Sequence, residues 1–280
     1  MDATTATTSS VDDLPDLSSS HPVPPACVEE FRSHGHTVVR GLASPDEVAA
    51  FAPTLVRRAQ ELAWDRRPLA ERDTYGRAFL QASNLWQHDP GAARFVLARR
   101  FAEVAATLLG VDGVRLYHDQ ALCKEPGGGH TPWHQDQVYW PLDTDRTITM
   151  WMPLVDVRAD MGMVFASGTH RDGCLGTEVI GDASQEHFDA LVRDRGWSLA
   201  SHAPFAAGDA TFHAGWTLHS APANPTDSMR SVMTIIWFAD GTRVGEVDSP
   251  FRRFDQQAWL GGIESGELAA GPLNPVLFSR

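Results

Sequence analysis

The chain has 280 residues, 42% of them hydrophobic, and 36 acidic against 23 basic side chains give it a formal net charge of -13. That length and composition suit one globular core, and the acidity excludes a nucleic-acid backbone as partner, because phosphate binding needs clustered cations that release counterions. No apolar run approaches the roughly 20 residues of a spanning helix, which excludes the membrane, and Cys27, Cys123 and Cys174 form no C-x-x-C pair, the usage of a reducing cytoplasm rather than of a disulfide framework. A small-molecule client is the expectation that remains.

Residues 1–21 are rich in Thr, Ser and Asp without a basic or apolar stretch, and are expected to form a disordered tail ahead of a single domain over 22–280. From Pro22 the chain becomes foldable, with a short helix over Cys27 to His34 leading into a strand at Thr37 to Arg40. Ser44-Pro45-Asp46-Glu47 is a capping box with proline in the first turn, and predicts a helix to about Arg66. A second helix is predicted from Asp89-Pro90 to Gly110, with Phe95, Phe101, Val104 and Leu108 at helical spacing. After Gly113 the period changes. Val114 to Glu125 reads as a strand with Leu116, His118, Gln120, Leu122 and Lys124 on one face and Arg115, Tyr117, Asp119, Ala121 and Cys123 on the other. Thr147 to Val155 and Ser231 to Phe238 are further β-rich runs, and Ser184 to Arg195 is one helical interruption. Helices followed by many short strands predict a mainly β protein, a jelly-roll or cupin-like core with helices packed outside it.

The chemistry-bearing segment is Thr131-Pro132-Trp133-His134-Gln135-Asp136-Gln137. In a strand, residues i and i+2 project to the same side, so His134 and Asp136 can share one metal while Gln135 faces away. His187-Phe188-Asp189 repeats the spacing but falls in a predicted helix, where the two side chains diverge by about 200°. A third ligand is expected from a distant strand, and His219 ends the run Gly208 to His219. Asn224-Pro225-Thr226-Asp227 is turn chemistry after which β structure resumes at Arg230, which predicts neighbouring antiparallel strands for His219 and Arg230. Two imidazoles and a carboxylate occupy one face of an octahedral iron and leave three positions open. Two can take a keto acid such as 2-oxoglutarate, whose far carboxylate a bidentate Arg230 would hold, and the third can take O2.

Taken together these residues resemble the phytanoyl-CoA dioxygenase family of 2-oxoglutarate oxygenases. The likeness runs through Trp133-His134-Gln135-Asp136-Gln137, Trp151-Met152-Pro153-Leu154-Val155-Asp156, Ser167-Gly168-Thr169-His170, Thr217-Leu218-His219-Ser220 and Arg230, eleven residues after His219. It spans roughly Pro24 to Gly241. The resemblance implies a double-stranded β-helix in which His134, Asp136 and His219 bind iron(II) and Arg230 binds 2-oxoglutarate. Trp151, Gln120 and Gln135 would line the co-substrate site, and Lys124, the only lysine, shares a predicted face with Gln120 and joins them as a candidate. Met161-Gly162 and Ala221 depart from the family's usual Asn-Gly and Ser. The implied reaction oxidises a C–H bond of a small molecule, most simply by hydroxylation, while 2-oxoglutarate becomes succinate and CO2.

The aromatic side chains Trp133, Tyr139, Trp140 and Trp216 lie near the proposed ligands, and some of them are expected to wall a partly apolar substrate pocket. With one lysine and excess acid there is no cationic patch for a coenzyme A phosphate. The expected substrate is a small natural product or amino-acid-like molecule of specialised metabolism, antibiotic biosynthesis included. Thr242 to Arg280 is expected to cover the pocket or to pack elsewhere. Two rival readings are a zinc hydrolase using the same three ligands, which would not need Arg230, and a β-barrel binding protein without catalysis.

Overall fold

In chain order, the computed structural model, which describes residues 11–280, begins with α1 (Pro25–His34), β1 (His36–Val39) and α2 (Pro45–Leu62). The Ser44 hydroxyl accepts from the Glu47 amide and the Glu47 carboxylate from the Ser44 amide, so the capping box forms as expected. The helix stops at Leu62, four residues short of the expectation, because Ala63 turns extended ahead of Pro68. Strand β2 (Leu80–Ser83) follows, then α3 (Pro90–Val96) and α4 (Arg99–Leu109), where one helix was expected. The break comes at Ala98, whose extended backbone (φ -61°, ψ 122°) starts the second helix in a new direction.

The remaining strands are β3 (Gly113–Lys124), β4 (Thr131–His134), β5 (Thr147–Pro153) and β6 (Val164–Ala166), then, after α5 (Asp182–Arg195), β7 (Leu199–Ala200), β8 (Ala210–Ala214), β9 (His219–Ala221) and β10 (Arg230–Ala239). Helix α6 (Pro250–Trp259) and β11 (Val276–Ser279) close the chain. Two sheets result. The larger runs β1-β8-β5-β10-β3-β11 with β2 also paired to β3, and the smaller runs β4-β9-β6-β7. This is the two-sheet core with flanking helices that the sequence pattern implies.

Alternation sorts the larger sheet's side chains. Met150, Met152, Met233, Ile235 and Phe212 turn outward into the core formed with Phe51 and Leu55 of α2, Phe95 of α3 and Phe101 of α4. Their neighbours Thr149, Trp151, Thr234 and Ile236 turn inward and line a cavity between the sheets. On β3 the alternation is interrupted once. Ile236 pairs with His118 and Trp237 with Leu116, so Tyr117 is an extra residue, a β-bulge. The expected two-faced pattern therefore holds for 118–123 but fails before it: Leu116 joins the outer core with Ala121 and Cys123, and Tyr117 packs with Trp140, Ile236 and Trp259 on the cavity side.

Another departure lies at the N-terminus. Residues 1–10 fall outside the described residues, but residues 11–21, expected to be disordered, lie along α3 and α4 instead. Leu17 is buried in the main core, Arg94 donates to the Val11 and Pro15 carbonyls, and Arg100 donates to the carbonyl and hydroxyl of Ser19. Leu14 and Leu17, three residues apart, supply the apolar anchors, and two arginines satisfy the backbone that polar composition alone would leave to solvent. Among the described residues no helix is long and apolar enough to cross a membrane.

Candidate active site

His134 and His219 sit directly opposite one another in the antiparallel pair β4–β9, with ring centroids 4.2 Å apart. Strand β4 ends at His134, and Asp136 opens a single 3-10 turn instead of continuing the strand. Gln135 between them is still extended (φ -116°, ψ 129°), which preserves the alternation and keeps the carboxylate on the imidazole's side. One ligand atom from each of His134, Asp136 and His219 lies within 4.8 Å of the others. Asp136 Oδ1 is 3.5 Å from His134 Nε2 and 3.9 Å from His219 Nε2.

The surroundings aim these atoms. Nδ1 of His134 faces the Pro132 carbonyl at 2.8 Å and Nδ1 of His219 the Thr217 carbonyl at 2.9 Å, contacts that fix Nδ1 as the protonated nitrogen and leave both Nε2 lone pairs free. Burial pushes both imidazoles down in pKa, so they are neutral near pH 7. On Asp136, Oδ2 accepts from the Thr149 hydroxyl at 2.9 Å and lies 3.2 Å from His213 Nε2, which turns Oδ1 toward the two histidines. Burial works against the Asp136 charge, but the imidazoles of His219, His213 and His134 outweigh it and hold the carboxyl well below the usual carboxylate range. Two neutral nitrogens and one carboxylate oxygen, each oriented by a partner behind it, are a donor set that fits iron(II).

The neighbouring-strand expectation for His219 and Arg230 is not met. Strand β9 pairs with β4 and β6, whereas Arg230 opens β10 in the other sheet, between β3 and β5. The turn after Ala221 carries the chain from one sheet to the other, so the two residues meet across the cavity rather than along a ladder. Arg230 is 2% exposed and donates through Nη1 to the Met161 carbonyl at 2.8 Å, while Nε and Nη2 have no partner among the described residues. Burial lowers it only to about 10, so it stays charged. Two orphaned donors of one guanidinium are a socket for a carboxylate. The Trp151 ring lies 5.6 Å from that guanidinium.

Of the other expected co-substrate residues, Trp151 and Gln120 line the cavity and Gln135 and Lys124 do not. Gln135 points away from the metal donors; its amide donates to the Gly173 and Trp216 carbonyls and accepts from the Leu175 amide, so it ties loops together. The fully buried Lys124 donates to the Gly129 carbonyl and, at 3.3 Å, to the Thr131 hydroxyl, with its amine 4.7 Å from the centre of the Phe79 ring. It braces the wall next to Arg230 rather than reaching a ligand. Of the four aromatic residues from which the pocket wall was expected to draw, Tyr139 and Trp140 line the cavity and Trp133 and Trp216 do not; the Trp133 indole donates to Asp189 on α5.

Lys124 also yields a pH prediction. Burial and the Arg230 charge push its amine down to about 6, whereas the unfolded chain holds that proton up to about pH 10.4. Between these values the unfolded state binds more protons, so stability rises with pH. Asp119 and Asp255, both raised by burial to about 7, oppose this only below that pH, and Cys123, raised by burial to about 11, only above its ordinary value. In urea unfolding between about pH 7 and 8.5, wild type should gain about 1.4 kcal/mol per pH unit relative to Lys124→Met. Parallel profiles for the two proteins would mean that the amine stays charged in the fold.

The whole cavity, about 410 Å³, has Arg230 at one end and α6 at the other. Along β10, Arg230 and Ile236 are separated by about 20 Å at the usual rise per residue. Thr149, which holds Asp136, pairs with Ile236, so the metal donors stand well up the strand from Arg230. Beyond them Trp64, Tyr75, Phe251, Phe254, Asp255 and Trp259 complete the wall. The C-terminal segment thus covers the pocket. These residues come from distant segments and carry no local motif, and sequence reasoning did not find them.

The family model described as Phytanoyl-CoA dioxygenase (PhyH) matches residues 31–232. Among solved structures, the chain is similar to the non-heme alpha ketoglutarate dependent carbocyclase SnoK from nogalamycin biosynthesis, with 23% identity over 91% of this chain and 96% of that one and a TM-score of 0.74. The epimerase SnoN in complex with Fe3+, alpha ketoglutarate and nogalamycin RO matches at 23% identity, 90% and 97% coverage and a TM-score of 0.73. EctD from S. alaskensis with 2-oxoglutarate and 5-hydroxyectoine matches at 19% identity, 93% and 94% coverage and a TM-score of 0.63. No curated protein matches the sequence.

Proposed function

The chain belongs to the phytanoyl-CoA dioxygenase family and is a non-haem iron(II)- and 2-oxoglutarate-dependent oxygenase, and from that premise we propose that it oxidises a C–H bond of a small, partly apolar natural product, most simply by hydroxylation. His134, Asp136 and His219 hold the iron, and Arg230 holds the far carboxylate of 2-oxoglutarate. The observation that carries this reading is the buried Arg230, with two unpartnered nitrogens in the same cavity as the three metal donors. A zinc hydrolase has no use for a desolvated guanidinium at that place. Natural-product metabolism is supported by the likeness to SnoK and SnoN, both from nogalamycin biosynthesis.

In this reading Arg230 binds and orients the co-substrate by a charged fork, and Trp151 packs beside it as a flat wall. Thr149 and His213 fix Asp136 so that Oδ1 faces the metal position. When bound, iron(II) with 2-oxoglutarate and O2 supplies an oxidant able to attack an unactivated C–H bond, with succinate and CO2 as co-products. The aromatic wall on the α6 side positions the substrate carbon and excludes water from the site.

Adding iron(II) and then 2-oxoglutarate to metal-free protein under argon should produce the weak visible charge-transfer band of the chelate. Zinc in place of iron should give no band and no succinate on exposure to air. A protein that forms no band with iron and instead gains hydrolytic activity with zinc would overturn the reading in favour of the hydrolase.

A further inference from the structure

The α6 end of the cavity has a chemical character that the oxygenase reading does not use. Asp255 lines it, is 7% exposed, and accepts from the Tyr117 hydroxyl at 2.8 Å. The bulge at Tyr117 makes that contact possible by bringing its ring to the cavity side. No ion pair reaches Asp255 among the described residues. Arg252, on the same helix, is 3.5 Å from Asp248 and donates to the Val138 carbonyl, and Arg253 is exposed. Burial raises the Asp255 carboxyl to about 7, the expected response of a desolvated acid without a cation. Beside it His118, 4% exposed and pushed down by burial to about 4, has Nδ1 without a partner.

Aromatic rings gather around Trp259, one helical turn from this acid and hydrogen-bonded to it. Trp259 lies against His118 at 4.8 Å, stacks parallel to Trp64 at 6.4 Å and meets Phe254 edge-on at 6.0 Å. Trp64 and Phe254 are each more than half exposed, so two large rings stand open at the mouth. A buried carboxylate beside a cluster of partly exposed aromatic rings combines the two features that recognise an organic cation, a counter-charge and π faces.

The charge balance points the same way. Among the described residues the side chains lining the cavity include one cation, Arg230, and three acids, Asp73, Asp136 and Asp255. The charges of iron(II), dianionic 2-oxoglutarate, Asp136 and Arg230 cancel. Asp255 then has no balancing cation among the lining side chains, within a protein of net charge -13 that draws cations toward it.

We infer that the substrate carries a basic amine, held as an ammonium ion by Asp255 beside the aromatic cluster of Trp64, Phe254 and Trp259, with its oxidised carbon on the side facing the metal. The inference rests on the oxygenase reading for the reaction, but the cation site itself is testable without metal.

Tryptophan fluorescence of metal-free protein would be titrated with 3-phenylpropylamine, 3-phenylpropanol and 3-phenylpropanoate, which at about pH 7.5 are cationic, neutral and anionic versions of one shape. The amine is expected to bind about 10-fold more tightly than the alcohol, while the carboxylate, which the Arg230 fork can hold in metal-free protein, reports on the other end of the cavity. Asp255→Asn keeps an acceptor for Tyr117 and should erase the preference for the amine while leaving the alcohol's affinity unchanged, which also shows that the pocket is intact. Equal affinity for amine and alcohol in wild type, or an undiminished preference in D255N, overturns the inference. Should D255N lose the alcohol too, the wild-type ranking decides alone. Wild type that forms the iron chelate but ignores the amine's charge sinks only this proposal; wild type that prefers the amine but forms no chelate sinks only the oxygenase reading.

Discussion

In Asp136→Ala, the anaerobic iron(II)–2-oxoglutarate band should disappear and succinate formation should fall by at least about 10³-fold, well beyond the 10- to 100-fold typical of a partner behind a ligand. The difference arises because Asp136 supplies the only anionic donor between two neutral imidazoles. Thr149→Val is the calibrating variant. It removes the 2.9 Å hydrogen bond to Oδ2 but leaves Oδ1 in place, with His213 still at 3.2 Å, and should cost iron affinity only about 10-fold. Iron titration monitored by the chelate band measures both. An Asp136→Ala protein with wild-type iron affinity would place the metal elsewhere.

Arg230→Leu should raise the KM for 2-oxoglutarate by roughly 30- to 5,000-fold, the range for losing one partner of a buried charge pair at 2–5 kcal/mol. At saturating 2-oxoglutarate, kcat should change far less, because the contact is made equally in ground and transition states. Arg230→Lys keeps the charge but not the fork, and should fall between. A second readout separates this role from a structural one. In the metal-free protein Arg230 is desolvated, with two donors unpartnered and one bonded to Met161, so leucine should raise the melting temperature while weakening the co-substrate. A structural arginine would give the opposite sign, and an unchanged KM would remove Arg230 from the co-substrate site.

Much of this was legible because local chemistry and global fold agree at the places that matter. The capping box of α2, the strand 113–124 and the paired runs at 147–153 and 230–239 are local patterns, and the structure keeps them. His134 and Asp136 could be read as a pair because the extended backbone at Gln135 enforces the alternation even where the strand has ended. What escaped the sequence was non-local. Arg230 lies across the cavity from His219 instead of on the next strand, because the turn after Ala221 changes sheets, and turn residues mark a reversal without specifying its destination. Lys124 and Gln135 were expected at the ligand, but backbone carbonyls left by irregular loops claim both side chains. Residues 11–21 were judged by composition, in which two leucines hardly count, although those two decide where the segment docks. Asp255 and Trp259 belong to a helix whose own spacing says nothing of a site assembled from residues 134, 136, 219 and 230.

The single extra residue at Tyr117 separates two jobs that one strand performs. A one-residue slip in an ordinary ladder would turn every side chain over; here the slip is confined, so residues 118–124 keep the phase that serves the metal end while 113–116 keep the phase that serves the outer core. Tyr117 stays packed behind the wall, and Asp255, the cavity-lining partner of its hydroxyl, is the position at which a substitution can alter which molecule enters while the frame that holds the ligands keeps its phase. The bulge acts as a seam between the two phases, and Asp255, which faces the cavity there, is the natural first position to vary in an effort to change what this enzyme accepts.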